Sequence, residues 1–251
     1  MTTLLRGLPA PRVEVHDSAD DLATAVAGAF LRLVSVRQAL GEVPQVALTG
    51  GSIADKIHRE LARLGRDSDI DWGRIDFFWG DERFVAADSD DRNARQARSA
   101  LLDAVGVDPA RVHEVPSTGD ADSVDAAAAA YAETVRSVGS GTFDLTMLGV
   151  GPDGHIASLF PGFPQLAVDD AIAVGVTGSP KPPPERVTLT FPALNRSQHV
   201  WFVVSGTDKA GAVGRALTAE PPGVQQIPAT GVRGQVETIW FLDRDAASQV
   251  P

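Results

Sequence analysis

Phe143-Asp144-Leu145-Thr146-Met147-Leu148 runs straight into Gly149-Val150-Gly151-Pro152-Asp153-Gly154-His155. A mostly apolar run that stops abruptly at glycine reads as a central strand with a loop at its carboxyl end, and in open α/β sheets that edge is where ligands bind. The loop satisfies the G-x-G-x-x-G spacing of a dinucleotide site. Such a site needs its third glycine to lead into a full helix, whereas Pro161 arrives seven residues after Gly154. No strand ends in an acidic residue at the distance a nucleotide ribose requires, so the dinucleotide reading is rejected. What remains is Asp153 and His155 flanking a glycine. An imidazole suits general-base work near neutral pH, and a carboxylate two residues away is near enough to orient the ring.

On both sides of this passage short apolar runs alternate with amphipathic stretches, the pattern of β-α units. The expected fold is α/β, a single domain over residues 1–251 with a mostly parallel Rossmann-like sheet flanked by helices. Strands are predicted at 13–15, 46–49, 75–79, 143–148, 172–176, 187–190, 200–204 and 238–242, with a short one at 112–115. Helices are predicted from Asp17 to Leu40, from Ser52 to Leu64, around 93–105, and at 123–138 and 209–217. The first has Asp17 or Ser18 as N-cap and an apolar stripe at Leu22, Val26, Ala29, Leu33, Val36 and Leu40. Asp81-Glu82-Arg83, after Phe77-Phe78-Trp79, reads as a charged turn at the same sheet edge.

The chain has 251 residues, 43% hydrophobic and 22% charged, an ordinary globular balance at a length that buries roughly 72% of the unfolded surface. A net charge of −11 repels nucleic acid and anionic membrane, so an anionic ligand must be held by a local cluster of positive groups. There are no cysteines, which removes disulfides, thiolate catalysis, zinc-thiolate sites and iron-sulfur clusters. No H-E-x-x-H spacing exists, so no metal is expected. The Leu4-Leu5 pair is broken by Arg6 and Pro9, and nowhere do eighteen apolar residues run together. The expected location is cytoplasmic, with no membrane partner.

Thr49-Gly50-Gly51-Ser52 lies where a strand meets a helix amino terminus. Free backbone N–H groups welcome an anion there, but a tight turn with Ser52 as N-cap accounts for the same residues. It is not a nucleoside-triphosphate loop, because the Gly-Lys-Ser/Thr ending is missing. Lysine is scarce, with only Lys56, Lys181 and Lys209. Lys181, inside Ser179-Pro180-Lys181-Pro182-Pro183-Pro184, and Arg186 beyond it place positive charge on a stiff backbone. His16, His58, His113 and His199 lack acidic company of the kind His155 has and read as solvated or structural.

Taken together, Leu48 to Ser52, Trp79 to Arg83 with Asn93, and Leu148 to Gly162 resemble the 6-phosphogluconolactonase family of the glucosamine-6-phosphate isomerase/6-phosphogluconolactonase superfamily. Lys181 to Thr190, Val204-Ser205-Gly206 with Lys209-Ala210, and Trp240 to Asp243 continue the resemblance, which runs in order from Val46 to Asp243. Its specific part is Asp153-Gly154-His155-Ile156-Ala157-Ser158-Leu159-Phe160-Pro161-Gly162.

The resemblance implies cofactor-free hydrolysis of 6-phospho-D-glucono-1,5-lactone to 6-phosphogluconate, the second step of the oxidative pentose phosphate pathway. The implied partner is a small sugar phosphate lactone, and the expected assembly a monomer or weak homodimer. His155 would activate water, Asp153 would orient the His155 imidazole, and Arg83 would assist. Gly50, Gly51, Ser52, Asp81, Glu82, Asn93, Gly151, Gly154, Lys181 and Arg186 would bind substrate. How Arg83, Lys181 and Arg186 divide between phosphate and carbonyl stays open.

Glucosamine-6-phosphate deaminases share the superfamily. They continue after this histidine with an aromatic residue, asparagine and a glutamate that assists ring opening, where this chain has Ser158, Leu159 and Phe160, and they favour tyrosine at Arg83. A non-catalytic sugar-phosphate-binding regulator is a third reading. Such proteins usually carry an appended effector segment, and the residues before Val46 are taken up by a strand and a helix.

Overall fold

The computed structural model describes residues 7–138 and 141–251, so the Leu4-Leu5 reading lies outside the described residues. In chain order the strands are β1 (Arg12–His16), β2 (Gln45–Leu48), β3 (Asp76–Trp79), β4 (Asp81–Arg83), β5 (Leu145–Leu148), β6 (Ala173–Val176), β7 (Arg186–Leu189), β8 (His199–Val204) and β9 (Glu237–Asp243). A six-stranded sheet runs β1-β9-β8-β5-β2-β3, every neighbouring pair parallel. β2, β3 and β5 are buried at every position but Gln45, as near-continuous apolar runs in a parallel sheet require. From β2 the chain proceeds to β3 on one side, and from β5 it reaches β8 and β9 on the other. The boundary between β2 and β5 is therefore a topological switch point.

Helices cover both faces. α1 (Ala19–Ala39) and α2 (Ser52–Gly65) bury Leu22, Phe30, Ile57 and Leu61 against Val203 and Phe241. α3 (Asn93–Ala97) continues through a π-helical turn, Arg98–Leu102, into α4 (Asp103–Val105). On the opposite face α5 (Val124–Val138), α6 (Phe191–Leu194) and α7 (Ala210–Ala216) pack over Phe78, Phe202 and Trp240. The only tyrosine, Tyr131 on α5, ties this layer to the sheet: its hydroxyl accepts from Trp79 N–H and donates to Trp79 O, both at 2.8 Å.

Three expectations need correction. Ser18 does cap α1, its Oγ accepting from Asp21 N–H at 3.1 Å, but Val36 and Leu40 are 62% and 70% exposed. The buried row is Leu22, Val26, Phe30 and Val34. A four-residue step overshoots one helical turn by about 40°, so this row winds around the helix and leaves the other side in water. Residues 112–115 form no strand beyond a single bridge between Phe77 and Val112. Asp81–Arg83 is not a turn. At Gly80 the chain leaves the parallel sheet, and β4 pairs antiparallel with β7, which pairs with β6, to make a separate three-stranded sheet. The segments at 172–176 and 187–190 belong to it rather than to the main sheet.

His58 sits in the buried stripe of α2, 2% exposed, with no partner for Nε2. Desolvation outweighs the pull of Asp55 and lowers its pKa from 6.5 to about 4. As pH falls the unfolded chain binds this proton first, so the contribution of neutral His58 is complete above 6.5 and is lost between about 6.5 and 4. Urea unfolding should show stability about 2 kcal/mol lower at about pH 5 than at pH 8 from this group. His58→Leu should shrink that difference.

Candidate active site

The loops leaving the carboxyl ends of β2, β3, β5 and β8 converge with the proline loop before β7 on one cleft of about 310 Å³. A groove of about 480 Å³ at the opposite sheet edge, beside α1, contains none of the motif residues. At the switch point the two glycine loops touch, Gly149 N–H donating to Thr49 Oγ1 at 3.3 Å.

His155 lines the cleft, its side chain 14% exposed, and its Nδ1 lies 2.5 Å from Asp153 Oδ1. Burial pushes the Asp153 carboxyl up, but the hydrogen bond and charge of His155 outweigh it and hold the group at about 2. Asp153 is thus an anion at working pH. With Nδ1–H donated to it, Nε2 is left as the lone-pair nitrogen. Asp153 itself lies outside the cleft lining, as does Gly154. Gly151 leaves no room for a side chain: a Cβ there would overlap the His155 ring. Phe160 backs the imidazole at 4.7 Å between ring centroids.

Gly51, not Ser52, is the N-cap of α2 and offers no side chain to it. The first-turn N–H groups of this helix are therefore capped by no side chain at the cleft, where Gly50, Gly51, Ser52 and Ile53 form one wall. Gly50 is needed for a neighbour: a Cβ would run into Asn93, whose Nδ2 donates to Asp81 O at 2.9 Å.

The Asp81-Glu82-Arg83 triplet splits by strand alternation. Asp81 and Arg83 line the cleft, while Glu82 is fully buried away from it and accepts from Arg83, Asn93 and Ala94 N–H at 2.8, 2.7 and 2.8 Å. Desolvation raises its pKa, opposed by Arg92 and those N–H groups. It serves as a scaffold anchor. Ser158 Oγ donates to the Asp81 carboxylate at 2.6 Å, and Ala157 just before it adopts a left-handed φ of +48°. That backbone costs about 1 kcal/mol.

Arg83 and Arg186 are register partners across β4 and β7, and both line the cleft. Burial draws the Arg186 guanidinium below its ordinary value, opposed by Asp81 and assisted by Arg83. Its hydrogen bonds go to the carbonyls of Lys181, Pro182 and Pro183. Lys181 is exposed at the rim with no ion pair among the described residues. Lys209, named in the sequence as a scarce lysine and within the resemblance but not among the candidate site residues, lines the same cleft and pairs with Asp208 at 2.8 Å; Lys181 also lowers the Asp208 pKa. Two of the three lysines thus meet here. The signal was present in the strand end at Val204, the same edge rule that singled out the loop after Leu148. The third, Lys56, pairs with Asp20 elsewhere.

A doubly covered parallel sheet, with a cationic cleft and an Asp-oriented imidazole at its switch point, defines an α/β protein. Residues 17–240 match the family described as glucosamine-6-phosphate isomerases/6-phosphogluconolactonase, and the chain belongs to that family. The 6-phosphogluconolactonase of Streptomyces coelicolor is 41% identical over 250 residues, covering 96% of this chain and 95% of its own. That of Mycobacterium leprae is 43% identical over 242 residues, covering 92% and 96%. The crystal structure of 6-phosphogluconolactonase from Thermotoga maritima matches with a TM-score of 0.81 at 29% identity, covering 93% of this chain and 100% of that one. No described helix is long and apolar enough to cross a membrane.

Gly151→Ala, whose Cβ would run into both the His155 ring and Asp153 Oδ1, should break the contact between them. The expected outcome is a kcat lowered about a hundredfold with a melting temperature near that of the parent, read from steady-state kinetics and a thermal scan.

Proposed function

We propose that this chain hydrolyses 6-phospho-D-glucono-1,5-lactone to 6-phospho-D-gluconate, with His155 as general base. The observation that carries the reading is the Asp153-oriented imidazole at the edge of a cleft lined by Arg83, Arg186, Lys181 and Lys209. His155 Nε2 takes a proton from water as the oxygen attacks the lactone carbonyl, giving a tetrahedral oxyanion that a neighbouring cation stabilises. Collapse breaks the ring C–O bond, and the imidazolium returns its proton to the departing ring oxygen. Asp153, ionised throughout, keeps the ring oriented and stabilises the transient imidazolium. The amino terminus of α2 with Lys181 and Lys209 holds the phosphate, and Arg83 remains for the lactone carbonyl.

Lactonase chemistry is favoured over deamination by Phe160. It is buried against His155, at the position where the resemblance puts a proton-relaying glutamate in deaminases, and a phenyl ring relays none.

In a coupled assay, glucose-6-phosphate dehydrogenase generates the lactone and 6-phosphogluconate dehydrogenase reports its opening. The protein should accelerate hydrolysis above the spontaneous rate, and His155→Ala should lower kcat by about 10²- to 10⁴-fold. A spontaneous rate with ammonia released from glucosamine 6-phosphate would overturn the lactonase in favour of the deaminase. Lys181→Met should raise KM for the phosphorylated lactone roughly ten- to a hundredfold, far more than for glucono-1,5-lactone. An equal response to both would remove Lys181 from the phosphate site.

A further inference from the structure

Arg186 lines the cleft, yet most of its guanidinium faces the protein. Nε donates to Pro183 O at 3.2 Å, and Nη2 to the Lys181 and Pro182 oxygens at 3.0 and 3.2 Å. Three consecutive carbonyls of the loop that carries Lys181 therefore converge on one side chain. Nη1 stands 4.0 Å from the Asp81 carboxylate, and the residue is only 5% exposed.

The other face of the same group lies on the catalytic loop. Arg186 Cζ sits 5.8 Å from the centre of the Phe160 ring, and Phe160 backs His155. Asp81 in turn holds Ser158. The base of this arrangement is firm, because Arg186 is paired on both sides, to Arg83 in β4 and Val176 in β6. The proline loop has no regular structure of its own. Ser179 N–H closes its neck onto Pro184 O at 3.0 Å, and Ser179 Oγ brackets Lys181 by accepting from its N–H and donating to its carbonyl. A planar fork of donors can serve several carbonyls at once, which the ammonium of lysine cannot reproduce in the same geometry.

We propose that Arg186 is a positioning residue: it holds the proline loop in register with the His155 loop, so that Lys181 meets the substrate phosphate while the lactone carbonyl lies at the base, and it does not bind the phosphate itself. This rests on the assignment of Lys181 to the phosphate.

A double-mutant cycle separates acting through Lys181 from acting on the ligand. The dissociation constant of 6-phosphogluconate would be measured by calorimetry for the parent, Lys181→Met, Arg186→Lys and the double variant, with melting temperatures to confirm folding. Each single change should weaken binding about tenfold or more, and the double variant should bind no more weakly than Lys181→Met. Multiplying effects would make Arg186 a direct ligand and overturn the proposal while leaving Lys181 in place. An unchanged constant in Lys181→Met would overturn the Lys181 assignment and the proposal with it. Should Arg186→Lys not fold, Ser179→Ala loosens the same loop from its exposed side. It should weaken binding only when Lys181 is present, and no effect in the parent, or an equal effect without Lys181, would show that loop position does not govern binding.

Discussion

The pairing of β2 with β5, Val46 against Leu145 and Ala47 against Thr146, is the constraint from which the site follows. Both strands are parallel and buried, and their outgoing chains turn to opposite sides of the sheet. A gap is left between two loops that would otherwise close over one another. Gly149 N–H donates to the Thr49 hydroxyl across its floor, which ties the amino terminus of α2 to the Asp153-His155 loop. The main chain diverges at this gap on the carboxyl edge of the sheet, and the candidate site residues line it.

The three-stranded sheet adds the positive charge. β4 brings Arg83, β7 brings Arg186, and the loop ahead of β7 brings Lys181 over the same cleft. A chain carrying eleven net negative charges thus concentrates cations locally at one edge. Buried Glu82 anchors that edge through the backbone of Arg83, Asn93 and Ala94, which leaves Asn93 wedged under Gly50. The middle member of the charged triplet therefore works on the scaffold, while Asp81 and Arg83 on either side of it line the cleft.

The parallel sheet and the loop after Leu148 were legible in the sequence because both depend on local pattern: apolar runs end in glycine, and Asp153 and His155 lie two residues apart. What escaped depends on distant partners. Nothing near Asp81 announces that it pairs with Thr188, more than a hundred residues on, and a strand of three charged residues has no apolar period to reveal it. Once it is a strand, period two explains why Glu82 points away from the cleft. The same holds for Arg186. Beside Lys181 in sequence it reads as a second ligand-binding cation, while its hydrogen bonds turn inward to carbonyls that only the folded loop presents.

The Trp79 and Tyr131 contact also bears on how the molecule behaves in company. β3 is the outermost strand on its side, and Gly80 N–H already points inward to Leu48 O. Trp79 turns its N–H and carbonyl outward, and one phenol occupies both; two residues earlier, the Phe77 carbonyl is taken by His113 N–H. An unpaired strand margin invites foreign strands to add to it. Here side chain and loop consume the invitation at both positions, so this flank offers no template for edge-to-edge aggregation. The far flank, β1, is guarded by charge instead, with Arg12 bridging Glu14 and Glu237.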